Sequence, residues 1–173
     1  MKQDKVLPNV VTLMTGESLR MSWWSHPRAQ DIFNMLDILS DHPDVLLTKL
    51  ISGKDTFIHR RSWSDFVAVA ISKEKWQMNL LPSEPAKLLD EIESHGFVLR
   101  SGPAAKELQK RLLINAKQIH TTSGKHSFML QSWKLWLDEH PVALNDSVEN
   151  ARVRLEDIVQ NSGGSISLLP WNR

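Results

Sequence analysis

The sequence predicts an α+β protein of about six helices with a β-hairpin and short strands. Apolar residues recur at three- to four-residue spacing in several separate segments, as on the buried face of a helix. Gly and Pro punctuate those segments, with His26-Pro27, His42-Pro43 and His140-Pro141 at three expected boundaries. Two apolar, β-branched runs flank Ser52-Gly53-Lys54-Asp55, a composition that makes a hairpin turn.

Taken in order, residues 1–24 form an N-terminal arm. Val10–Met14 reads as a short strand and Thr15-Gly16-Glu17-Ser18 as a turn. The unit 25–78 is helix–hairpin–helix. Its first helix opens at Pro27, carries Ile32, Met35, Leu36 and Leu39, and stops at Asp41-His42-Pro43. The hairpin strands are Val45–Ile51 and Thr56–Arg60. Ser62, with Asp65 reaching back, caps a second helix bearing Phe66, Val67, Val69 and Ala70. A seam is expected near Lys73–Pro82.

The unit 79–173 continues with a helix capped by Ser83, packed through Leu88, Leu89 and Ile92, and ended by Gly96. Phe97–Arg100 is a short strand. Ser101-Gly102-Pro103 opens a fourth helix with Ala105, Leu108, Leu112, Ala116 and Ile119 on one face. After a loop over 121–125, a fifth helix carries Phe128 to Leu137, including Trp133 and Trp136. A sixth starts at Asn145 or Asp146, with Glu149 completing a capping box, and ends at Gly163-Gly164. Ser165–Leu169 alternates like a last strand, able to pair with Val10–Met14. Pro27, Pro85 and Pro103 belong in first helical turns. Leu108, Leu112, Ile119, Trp133 and Trp136 belong in one core cluster.

Composition removes several function classes. The 173 residues are 41% hydrophobic and 24% charged, an ordinary globular balance. There are no cysteines, so disulfides, iron–sulfur clusters, thiolate zinc sites and thiol nucleophiles are excluded. No apolar run reaches 18 residues and the N-terminus lacks a signal-peptide core, so a soluble cytoplasmic protein without a membrane partner is expected. No metal spacing or cofactor motif occurs, and none is expected to be bound. Ser162-Gly163-Gly164-Ser165 is a helix stop rather than a phosphate loop, because no strand precedes it.

The main chemical signal is charge. The whole chain nets +1, with 21 Lys+Arg against 20 Asp+Glu. Between Arg100 and Lys134, seven basic residues (Arg100, Lys106, Lys110, Arg111, Lys117, Lys125, Lys134) face the single acid Glu107, a local net of +6. On a continuous helix Lys106, Lys110 and Lys117 share the face away from Leu108 and Leu112, with Arg111 at its edge. Lys125 and His126 follow on the next loop. Such a stripe suits phosphates. Arg60-Arg61 at the hairpin is the other compact basic site.

The order helix, Gly, strand, Gly-Pro-started helix in PSEPAKLLDEIESHGFVLRSG resembles a winged-helix module. The stretch from Lys106 to Trp136, KELQKRLLINAKQIHTTSGKHSFMLQSWKLW, resembles a segment of the winged-helix DNA glycosylases of the crosslink-unhooking (AlkZ) type and their relatives. The shared elements are a basic helix with Leu112-Leu113, the run His120–His126, and a Trp-bearing helix. That resemblance implies a winged-helix-like C-terminal half and a double-stranded DNA partner. It does not carry the activity across. The glycosylases' Gln-x-Gln catalytic pair is missing, the nearest stretch being Gln77-Met78-Asn79.

Three functions follow as expectations. The first is non-catalytic binding of double-stranded DNA through Lys106, Lys110, Arg111, Lys117, Lys125, His126, Arg60 and Arg61. The second is an enzyme using His120, His126 and His59 in a cleft between the two units, which needs those histidines near each other or near an acid. The third is a protein-interaction module using exposed tryptophans or a sheet edge, which needs a sizeable exposed apolar patch.

Overall fold

The computed structural model describes residues 7–17, 22–120, 126–144 and 147–173. Its helices and two small antiparallel sheets make it an α+β protein. Among the described residues no helix is long and apolar enough to cross a membrane.

The arm is helical rather than extended. Helix α1 (Val10–Thr15) starts where Asn9 Oδ1 accepts the Thr12 N–H, and Gly16 ends it at φ +76°. This side-chain cap overrides the β-branched composition of Val10-Val11-Thr12. A single 3₁₀ turn over Ile166–Leu168 replaces the expected C-terminal strand, nucleated by the Ser165 hydroxyl accepting from Ser167 N–H. The proposed pairing of these two segments is therefore absent.

Helix α2 (Ala29–Asp41) ends at His42 as expected, but Pro27 lies in the turn before its N-cap, Arg28. Pro85 and Pro103 do occupy first turns. Strands β1 (Val45–Thr48) and β2 (Thr56–His59) form the hairpin, with Thr48 opposite Thr56 next to the turn and Val45 opposite His59 at the far end. Helix α3 (Trp63–Ala70) follows Ser62, whose hydroxyl makes no cap bond. Asp65 does not reach back either: its carboxylate accepts two hydrogen bonds from Arg154, at 2.9 and 2.5 Å.

A one-turn helix α4 (Lys75–Met78) fills the expected seam. Helix α5 (Ser83–His95) is capped from Pro82, so Ser83 is its first residue rather than its cap; Gly96 ends it at φ +83°. Strand β3 (Phe97–Leu99) and helix α6 (Pro103–Lys110) follow.

The main departure comes next. The fourth helix stops at Lys110, not near Ile119. Arg111 closes it, Leu112 takes φ +57°, and the chain leaves as strand β4 (Asn115–His120). Residues 128–131, read as helix, belong to strand β5 (His126–Gln131), antiparallel to β4 with His120 opposite His126. The three-stranded order is β3-β5-β4. Only from Trp133 does helix α7 (Trp133–Glu139) begin, capped by Ser132, whose hydroxyl accepts the Leu135 N–H. Helix α8 (Val148–Asn161) is capped by Ser147; the expected caps Asn145 and Asp146 lie outside the described residues.

Burial explains the turn at Leu112. One core cluster joins Leu46, Ile58, Trp63 and Phe66 to Leu112, Trp133, Trp136 and Val159. A second gathers Leu88, Ile92, Leu108, Leu113, Ile114 and Leu130. Adjacent Leu112 and Leu113 thus enter different core clusters. The expected single cluster is split: Leu108 sits in the second, Leu112, Trp133 and Trp136 in the first, and Ile119 is only half-buried on β4. The first cluster draws on both sides of the expected seam.

Candidate nucleic-acid interface

Helix α6 exists because Gly102 can sit at φ +115°, ψ −173°, and because Pro103 suits the first position. Ala105 and Leu108 are buried beneath it, which turns Lys106 and Lys110, one turn apart, outward to solvent. Neither lysine makes an ion pair among the described residues.

The rest of the basic stripe is dispersed. Lys117 is on β4, opposite Met129. Asn115, Ala116 and Gln118, its neighbours along the strand, line the cleft beside α6, whereas Lys117 does not. It is exposed, but it does not continue the row from Lys106 and Lys110. Arg111 is committed to the fold. Its Nε donates to Glu107 at 2.7 Å, and its Nη1 donates to the carbonyls of Gln77 and Asn79 at 2.9 and 2.8 Å. Arg100 pairs with Glu91 at 3.2 Å. Lys134 lines a different cavity, beside Trp133 and Asp138. Lys125 and the His120 and His126 side chains lie outside the described residues.

Arg60 and Arg61 stand at the end of the hairpin opposite its turn. Arg60 reaches Asp44 at 3.4 Å, and Arg61 donates from Nε to His59 Nδ1 at 3.3 Å. Four residues of strand, about 13 Å, separate them from the 52–55 turn.

A cleft of about 300 Å³ does lie between the hairpin and α6. Lys49, Gly53 and Asp55 line one side; Lys106, Gln109 and Lys110 line the other. His59 is not part of its lining, and its Nδ1 accepts the Arg61 backbone N–H at 3.2 Å. Among the described residues no group of three or more His, Asp or Glu side chains could hold a metal ion.

Gln77, first residue of the closest approach to a Gln-x-Gln pair, is fully buried. Its Nε2 donates to the Ala70 and Arg111 carbonyls at 2.9 and 3.2 Å, and its Oε1 accepts from the Glu74 N–H at 2.9 Å. It ties α3, α4 and the end of α6 together and offers nothing to a ligand.

Sequence reasoning missed Lys49, Gly53 and Asp55 as neighbours of the basic helix across the cleft. Their only sequence signal is a charged hairpin turn, which does not say what the turn packs against. Comparison with protein families, with curated proteins and with solved structures finds no match for this chain.

Proposed function

We propose that the protein is a non-catalytic nucleic-acid-binding protein whose partner is double-stranded DNA, held through its phosphates by α6. The observation that carries this reading is the pair Lys106 and Lys110: exposed, one turn apart, and without acidic partners among the described residues. Unpaired lysines release counterions from DNA on binding, whereas lysines already matched to carboxylates gain less. The succession α5, β3, α6, β4, β5, with β3 paired to β5, supports a winged-helix-like reading of this half, with α6 immediately before the β4–β5 hairpin.

Gly53 of the hairpin turn lies against Lys110 at the end of α6. Contacts to phosphate and little sequence preference are expected. Fluorescence anisotropy with a labelled duplex of about 25 base pairs, titrated at several salt concentrations, tests this. Replacing Lys106 and Lys110 by alanine should reduce the slope of log K against log[salt] by about 1.8, at about 0.9 per phosphate contact. Binding unaffected by the double substitution would remove α6 from the interface.

A second reading has its own observation. Trp24 is exposed and stacks on Trp23 at 3.8 Å, and Phe33 and Ile38 on α2 are also exposed. This apolar surface, on segments remote in sequence from α6, favours a protein partner.

A further inference from the structure

The cleft beside α6 has a second wall that belongs to the β1–β2 hairpin, and its composition extends the DNA-binding reading on which it rests. Gly53, at φ +67°, turns the hairpin against the last turn of α6: a Cβ placed on it would stand 3.6 Å from Lys110 Cγ. Lys54, next in the turn, is exposed and has no acidic partner among the described residues. Lys49 lines the cleft with its side chain 30% exposed, and Asp55 holds it at 2.6 Å. Asp55 also pulls the local charge down, being the only acid among the cleft's lining residues.

We propose that the hairpin turn and α6 together seat the sugar–phosphate backbone of one DNA strand, with Lys106 and Lys110 on one wall and Lys54 on the rim of the other. Asp55 then acts as an attenuator. It neutralises Lys49 and repels the strand, so the site is weaker than its lysine content allows. A cleft of about 300 Å³ has no room for a whole duplex, whose major groove alone is about 12 Å across. One strand's backbone therefore lies along the cleft mouth while the rest of the duplex stays outside.

The consequence is a pair of substitutions on the hairpin with opposite signs, at positions that touch neither core cluster. Lys54→Ala should lower the salt slope by about 0.9, one phosphate contact. Asp55→Ala should free Lys49 and tighten binding about two- to fivefold at low salt. Lys87→Ala, on the exposed face of α5, serves as a control for loss of one positive charge elsewhere. The experiment is the same anisotropy titration on the full chain, with circular dichroism melts to confirm that each variant folds. Opposite effects of Lys54→Ala and Asp55→Ala, both beyond the control, support the two-walled site. If Lys106→Ala/Lys110→Ala weakens binding while both hairpin variants match Lys87→Ala, the hairpin is not a wall and α6 binds alone. If the unsubstituted protein fails to bind the duplex at about 50 mM salt, the DNA-binding reading falls and this inference falls with it.

Discussion

Single side chains hold this structure together by satisfying backbone groups that the local chain cannot. His26, His42 and His59 each accept the N–H two residues ahead through Nδ1, at 3.1, 3.1 and 3.2 Å. In the two His-Pro cases the intervening proline has no N–H, so the ring serves the first donor available, as an Asx turn does. These histidines are structural punctuation. Trp133 has a similar double role at the centre of the molecule. It is buried, packs edge-on to Phe66 and Trp136 at 5.5 and 5.8 Å, and donates from Nε1 to the Leu112 carbonyl at 2.8 Å. Leu112 sits at the strained turn where α6 gives way to β4, so Trp133 also pins that turn. Trp133→Ala should cost about 3–5 kcal/mol, read as a lowered denaturant midpoint, because a large cavity and an unsatisfied carbonyl arise together. An unchanged midpoint would place the indole outside the core.

At the scale of elements, α6 depends on its entry and its exit. The entry is Gly102, in a region of φ and ψ that only glycine adopts without cost. A Cβ there would meet nothing within 4 Å, so the penalty of Gly102→Ala is purely one of backbone strain. It should be about 1–3 kcal/mol in a denaturant melt, and a neutral substitution would show that the entry relaxes freely. The exit is where sequence and structure part. The hairpin, α5, β3 and the start of α6 were legible because glycine, proline or a polar turn bounds each of them. The stretch 111–131 has no such mark before Gly124. Leu108, Leu112, Ala116 and Ile119 fall at helical spacing by coincidence, and Asn-Ala-Lys-Gln-Ile-His is a weak strand former. The turn at Leu112 is imposed by two cores competing for adjacent leucines, a tertiary cause with no local signature. Reading β4 as helix is what aligned Lys117 with Lys106 and Lys110. The α1 helix was hidden in the same way, its β-branched residues outweighed by one asparagine cap.

Across the whole molecule, a net charge of +1 conceals an uneven arrangement. Arg28, Arg60, Lys73, Arg100, Arg111, Arg152 and Arg154 are each matched to a carboxylate, several of them bridging elements distant in sequence. Such pairs orient the fold and leave little field for a ligand. Among the described residues Lys54, Lys106 and Lys110 have no carboxylate partner, nor have Lys75, Lys87, Lys117 and Lys134, and Gly53 sets the hairpin turn against Lys110. The legible part of the proposed site was therefore its sign and its helix; the cleft's second side comes from packing between segments about 50 residues apart. The central claim is that a DNA backbone lies across α6 and the hairpin turn. Mapping backbone amide shifts in ¹⁵N-labelled protein on addition of a short duplex tests it most directly. The account predicts shifts concentrated in residues 52–55 and 101–110, fading as salt rises. Shifts confined to the Trp23–Phe33 surface or to Arg60-Arg61, with α6 silent, would contradict it.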